Sequence, residues 1–210
     1  MAFVVAVAQR KGGAGKSTLA ATLATTFAAS GRRVALLDTD PQRSLARWWQ
    51  ERASAGPRAG SITFEDPSGW RLTGAVDRMA RTHDIVVLDT PPHAETDSRV
   101  AIRAAGLVVV PLQPSPADLW AMEGTLALVA EERRRAVLVL NRVPSSGKLR
   151  EEIARELLRR ELPLLEPGLG NRTAFATAFA RGLGVVESAP RGIAAEEARA
   201  VAAAILALKE

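Results

Sequence analysis

The chain has no cysteine and no tyrosine, and its aromatic residues are limited to four tryptophans and five phenylalanines in 210 residues. Without cysteine there can be no disulfide, no thiolate metal site and no iron–sulfur cluster. Without tyrosine there is no tyrosine autophosphorylation. The two histidines, His83 and His93, are isolated from each other and from any ligand spacing, so they read as surface or core residues. No apolar run approaches the ~20 residues that a bilayer span requires. The N-terminus runs straight into an apolar strand pattern, which gives no sign of a secretory leader. A cytoplasmic protein without membrane contact is the expectation. Repeats, low-complexity tracts and linkers are also lacking, so residues 1–210 read as a single domain with a full core and no helix-turn-helix domain ahead of it.

Acidic residues are outnumbered: the net charge is +5 and the isoelectric point near 10.6, carried almost wholly by arginine. That balance suits a polyanionic partner such as DNA, because each neutralised phosphate releases condensed counterion. A GC-rich genome would produce the same arginine content with no partner at all.

What the chain does have is a glycine-rich turn nine residues in, Arg10-Lys11-Gly12-Gly13-Ala14-Gly15-Lys16-Ser17-Thr18. The apolar, β-branched run 3–8 precedes it and reads as a buried strand; residues 19–28 follow with helical spacing. Strand, glycine turn and helix form a phosphate cradle, in which backbone N–H groups and the helix N-terminus point at phosphate oxygens. Lys16 is placed to reach the β- and γ-phosphates, and the Ser17 hydroxyl to ligate Mg²⁺. The standard loop begins with glycine; this one has Arg10 there, followed by a second lysine, Lys11.

Further along, apolar strand patterns at 34–38, 61–64, 84–88, 107–110, 136–140 and 163–165 alternate with helical patterns at 44–53, 70–81, 97–105, 117–134, 148–161, 173–181 and 194–208. The alternation predicts an α/β fold: a mostly parallel, twisted sheet with helices on both faces. Ligands of such sheets sit beyond the carboxyl ends of the strands. The glycine loop, Asp38 and Asp40, Asp89 and Asn141 all fall at such ends. Asp89, after four apolar residues, has the form of an aspartate that holds Mg²⁺ through water. Asp38 and Asp40, two residues apart on extended chain, face one side; one suits support of the metal shell and the other the orientation of water. Asp40-Pro41 also fits an Asx-type turn.

Lys11-Gly12-Gly13-Ala14-Gly15-Lys16-Ser17, Asp38-Thr39-Asp40-Pro41-Gln42 and Asp89-Thr90-Pro91-Pro92, in this order and spacing, resemble the deviant phosphate-loop ATPases of the ParA/MinD family. Ser44-Leu45 and Pro114-Ser115-Pro116-x-Asp118 bring the short, ParF-like partition proteins nearest. The resemblance implies a P-loop NTPase with ATP and Mg²⁺ as cofactors. Lys11 would be the signature lysine that crosses a nucleotide-sandwich homodimer to the partner's phosphates. Gly12, Gly13, Ala14, Gly15, Lys16, Ser17 and Thr18 would bind the phosphates, Thr18 the α-phosphate, and Asn141 would lie beside the adenine. Asp40 would orient the attacking water, with Lys11 and Lys16 stabilising charge; Ser17, Asp38, Asp40 and Asp89 would surround the metal. Residues 111–124 would form the dimer-facing, nucleotide-adjacent segment. Arg10 receives no role.

The implied function is slow ATP hydrolysis, stimulated by DNA or a partner, in a nucleoid-associated protein. It would bind DNA non-specifically and segregate a plasmid or chromosome with a ParB-like or cargo adaptor. An orphan ATPase that positions carboxysomes or chemoreceptor clusters is the alternative, with a MinD-like division-site regulator behind it. The last helix lacks the basic amphipathic face of a membrane anchor. Arg172, Arg181, Arg191 and Arg199 are the DNA candidates. Lys148, Arg150, Arg155, Arg159 and Arg160 share their helix with Glu151, Glu152 and Glu156, which reads as a solvated, salt-bridged face. Trp48 and Trp49 read as core residues, with a partner contact as the other possibility for one of them.

Overall fold

The computed structural model describes residues 2–209 apart from 68, 93, 94 and 147, and leaves the side chain of Glu95 undescribed. His93 therefore lies outside the described residues. Seven strands form one sheet: β1 (Phe3–Val7), β2 (Val34–Asp38), β3 (Thr63–Glu65), β4 (Ile85–Asp89), β5 (Leu107–Leu112), β6 (Ala136–Leu140) and β7 (Leu164–Leu165). Their order is β3-β2-β4-β1-β5-β6-β7, and every pairing is parallel. The helices are α1 (Lys16–Ala29), α2 (Ser44–Ala53), α3 (Leu72–Thr82), α4 (Glu95–Ala104), α5 (Pro116–Glu131), α6 (Leu149–Arg159), α7 (Thr173–Phe179), α8 (Val185–Ser188) and α9 (Ile193–Ala207).

The sheet separates two apolar layers because strand side chains alternate. Val5 and Val7 of β1 join α1, α2 and α9 on one face through Leu19, Leu23, Phe27, Trp48 and Val201. Ala6 and Ala8 join α3 to α6 on the other through Leu72, Ile102, Met122 and Leu157. Strands buried on both faces explain why 34–37, 85–88 and 107–110 read as continuous apolar runs. Trp48 is fully buried, and Trp49 stacks on Phe64 with ring centroids 5.1 Å apart; both are core residues. The apolar stripe of α9, including Val201, Ala202 and Ile205, is spent on this core.

The sequence-based element bounds shift in places. The first helix begins at Lys16, inside the glycine motif, rather than at Leu19. A short 3-10 turn, Gly69–Arg71, occupies the start expected for the third helix. The one-turn helix α8 had no expectation attached to it. It is too short to show a period. His83 is held structurally, with Nδ1 3.1 Å from the Met79 carbonyl and Nε2 2.8 Å from Thr63 Oγ1. No helix among the described residues is long and apolar enough to cross a membrane.

Candidate functional site

Strand order explains the site. β4 lies between β2 and β1, and register pairs Asp89 with Asp38 on one side and Val7 on the other. Carboxylates about fifty residues apart in sequence are thereby neighbours at the end of the strand that feeds the glycine loop. Thr39 and Thr90 lock the chain ends: Thr39 Oγ1 donates to the Asp89 carbonyl at 2.7 Å and Thr90 Oγ1 to the Val7 carbonyl at 3.0 Å.

Gly13 and Gly15 hold left-handed φ values of 77° and 90°, which side-chain-bearing residues resist. The loop's carbonyls are drawn outward. Gln113 Nε2 and Arg142 Nη1 donate to the Gly13 carbonyl at 3.1 and 3.2 Å, and Asn141 Nδ2 to that of Ala14 at 2.9 Å. No side chain caps the N-terminus of α1, and its first turn has no acid. Its leading N–H groups are thus left for an external anion. Lys16 is buried and its Nζ lies 3.5 Å from the Lys11 carbonyl. Burial lowers the Lys16 pKa, opposed by the charges of Asp89 and Asp40.

Two adjoining cavities share Gly15, Thr18 and Arg142. One of about 380 Å³ is lined by Gly12, Gly13, Lys16, Ser17 and Asp40, among others, and matches a polyphosphate. Its neighbour, about 550 Å³, is bordered by Gln113, Asn141, Asn171, Thr173 and Phe175 and has the mixed polarity a nucleoside needs. Sequence reasoning placed Asn141 here, and Gln113 only as part of the 111–124 segment, but missed Arg142 and Phe175. The Asn141 amide itself is committed to the loop, since its Oδ1 also accepts from the Arg142 backbone N–H at 3.0 Å. A Cβ at Gly15 would stand 2.6 Å from Asn141 Nδ2. Gly15→Ala is therefore expected to weaken nucleotide binding about tenfold or more, through strain at a positive φ and a displaced Asn141. Isothermal titration checks it; affinity equal to wild type would refute the packing argument.

The carboxylates differ sharply. Asp38 accepts backbone N–H groups from Asp40 and Ala46, both at 3.0 Å, and so fixes the 38–46 segment. Burial raises its pKa and these donors oppose the rise. Asp40 Oδ1 accepts from the Gln42 N–H at 2.9 Å, the Asx-type turn, while the residue also borders the phosphate cavity. Asp89 is fully buried, and no donor reaches either oxygen in hydrogen-bond geometry. Burial pushes its pKa up to about 8, with Ser17 and Lys16 pulling the other way and Asp38 adding to the rise. An orphaned buried carboxylate is costly unless something unrecorded satisfies it. Beside a serine hydroxyl and a polyphosphate-sized cavity, a hydrated divalent cation meets that need. No group of three or more metal-ligating side chains occurs among the described residues, so phosphate oxygens and water would complete the shell, as Mg²⁺ prefers. Ser17 and Asp89 fit that ion, whereas both Asp38 oxygens accept from backbone N–H groups.

Lys11 points elsewhere. Its Nζ donates to Asp118 Oδ2 on α5 at 2.5 Å, and Ser115 Oγ donates to the same oxygen. The side chain is 36% exposed.

The arginines named for DNA are scattered in their commitments. Arg172 pairs with Glu197 at 2.6 Å, and Arg199 donates to the Pro190 carbonyl at 2.7 Å. Arg181 and Arg191 are exposed at the ends of α7 and before α9. On α6, Arg159 and Arg160 both pair with Glu156 at 2.6 Å, and Arg150 pairs with Glu166 at 3.0 Å, the salt-bridged face expected.

Known proteins share both sequence and fold with this chain. The carboxysome distribution maintenance protein A of Gloeobacter kilaueensis is 35% identical over 94% of this chain and 89% of its own. Protein ParA of Rhizobium radiobacter is 34% identical over 84% and 82%. The septum site-determining protein MinD of Pyrococcus horikoshii, solved with Mg-ADP, superposes with a TM-score of 0.79 over 99% and 98% at 17% identity, a likeness of fold. Residues 5–185, from the first strand through every group lining the phosphate cavity, match the model of one family, and the chain belongs to it: the CobQ/CobB/MinD/ParA nucleotide binding domain.

Proposed function

We propose that the protein is a ParA-type, Mg²⁺-dependent ATPase. With ATP bound it forms a sandwich homodimer, binds DNA without sequence preference and distributes a cargo on the nucleoid through an adaptor protein. The observation that carries this is the division of labour between two lysines. Lys16 is buried in the phosphate cavity, whereas Lys11 at the head of the same loop is directed out onto α5. In the dimer Lys11 would exchange its Asp118 contact for the phosphates of the neighbouring copy.

Each residue has a task. The loop N–H groups and Lys16 bind the β- and γ-phosphates, and Thr18 reaches the α-phosphate. Ser17 and Asp89 hold the metal shell, which Asp38 supports by fixing the 38–46 segment. Bound Mg²⁺ draws charge from the phosphate oxygens. Asp40 orients the water that attacks the γ-phosphorus as the bond to the β-phosphate oxygen breaks, releasing ADP and phosphate. Lys11 of the second copy offsets the charge that develops there, in the manner of an arginine finger. Nucleotide at the interface links hydrolysis to dimer release.

The names of the relatives favour cargo distribution over membrane-bound division control, and leave carboxysome and chromosome cargoes side by side. Arg181 and Arg191 are the better DNA candidates, since Arg172 and Arg199 already have partners. Lys11→Ala is expected to abolish ATP-dependent dimerisation in sedimentation velocity and to lower DNA-stimulated turnover about a hundredfold, with ATP still binding the monomer. A wild-type protein that neither dimerises with ATP nor binds DNA at low salt overturns the proposal. A Lys11 variant that dimerises normally overturns the role of Lys11 alone.

A further inference from the structure

One cation and one aromatic ring on the ridge beside Lys11 remain unused. Arg10 stands where the standard loop has glycine. Its backbone N–H donates to Thr125 Oγ1 on α5 at 3.1 Å, which fixes the root of the side chain on that helix. From there it lies across Gly124: a Cβ at 124 would be 3.2 Å from Arg10 Nη1 and 3.3 Å from its Cδ. A side chain at 124 would crowd it. The guanidinium has no ion pair or hydrogen bond among the described residues, and Arg10 is exposed. One turn earlier on the same face of α5, Trp120 is 68% exposed and has no ring or cation contact among the described residues. Two residues before it, Asp118 holds Lys11.

An exposed tryptophan beside an unpaired arginine is the composition of an interface anchor, since both are enriched where truncation costs most. The occupant follows from self-complementarity. In a two-fold pair each residue i meets j while j meets i. With the two-fold axis across α5, the two helices would run antiparallel, and the step from 120 to 124 in one copy would be reversed in the other. Each guanidinium would then meet the other copy's indole face, a cation–π contact that strengthens as water leaves.

We propose that Arg10 and Trp120 form the reciprocal anchor by which two copies of this chain recognise each other, with Gly124 as the groove that seats Arg10. The proposal rests on the sandwich-dimer reading above and goes beyond it by naming what sets self-recognition apart from phosphate chemistry.

The test is sedimentation velocity of the full chain with the non-hydrolysable analogue AMP-PNP and Mg²⁺, comparing wild type, Arg10→Ala, Trp120→Ala and the double variant. Both positions are exposed, so the variants keep the fold; circular dichroism and fluorescent-nucleotide binding at concentrations below dimerisation check this. Each single substitution is expected to weaken the dimer about tenfold, and the double variant to fall short of the product of the two, because they contact each other. Trp120→Phe is expected to restore most of the association by keeping a ring face. Wild type that stays monomeric with AMP-PNP removes the sandwich reading itself. Wild type that dimerises while the single variants match it, or while their effects multiply, overturns the anchor and leaves that reading intact. Loss of DNA or adaptor binding with the dimer unchanged assigns the patch to another partner and also overturns it.

Discussion

Asp89→Asn is expected to make the nucleotide-free protein more stable at neutral and alkaline pH while removing its magnesium-dependent ATP turnover. Asp89 has no exposure, and among the described residues no donor meets either oxygen in hydrogen-bond geometry, so its ionised form is unfavourable until a cation arrives. Its pKa is pushed from about 3.8 to about 8 by burial. The sign follows from proton counting. Between those two values the native state holds a proton that the unfolded chain has released, so stability falls as pH rises through the interval. Below it the two states match, and above it the full penalty is present. Asparagine has no such titration. Relative to wild type, the variant is expected to gain stability on the order of a few kcal/mol at pH 8, and little at pH 4. Denaturant titrations with a chelator present, at both pH values, read the difference between the two proteins and cancel groups they share. Turnover is expected to fall about a hundredfold or more. A variant less stable than wild type at pH 8 would show that the carboxylate is satisfied in the free protein, contrary to its geometry.

The second large effect lies away from the nucleotide. Arg52 on α2 and Glu187 on α8 form a bidentate ion pair, with distances of 2.6 and 2.9 Å and side chains only 3% and 6% exposed. Arg52 also donates to the carbonyls of Gly60 and Gly182, and its guanidinium lies 5.0 Å from the Trp48 ring centroid. Glu187 accepts from the backbone N–H groups of Gly60 and Gly184. Removing either partner leaves a charge buried alone. Arg52→Ala and Glu187→Ala are each expected to cost about 3–5 kcal/mol, or roughly 10 °C in melting temperature for a chain of this size. Replacing both by Met and Leu is expected to recover much of that loss, since the desolvation goes with the charges. Calorimetry measures it. Single variants within 1 °C of wild type would sink the claim that the pair holds α2 to α8.

That pair was invisible in the sequence. Arg52 was not singled out within the expected 44–53 helix, and residues 185–188 had no periodicity to mark a helix. Nothing local tells that positions 135 residues apart meet. The phosphate loop was legible because its chemistry is contiguous: Gly13, Gly15, Lys16 and Ser17 need no partner to declare themselves. The strand ends Asp38 and Asp89 were legible as carboxylates following apolar runs, but their adjacency depends on β4 lying between β2 and β1. Sequence alternation does not encode strand order. Arg142 went unnoticed, and Gln113 was not singled out within the 111–124 segment, for a different reason. They act by drawing the Gly13 carbonyl outward, and a role exerted on backbone leaves no motif.

The strand order also has a consequence for how the protein is made. β1 is synthesised before both of its sheet neighbours, β4 and β5, which lie some eighty or more residues later. While the ribosome adds residues at about 5–20 per second, Phe3–Val7 waits several seconds with its edges unpaired. A β-branched segment in that condition is a natural client for a holdase chaperone, and a slow, non-local closure governs the folding rate. The glycine loop is thus translated well before the strands that complete its site.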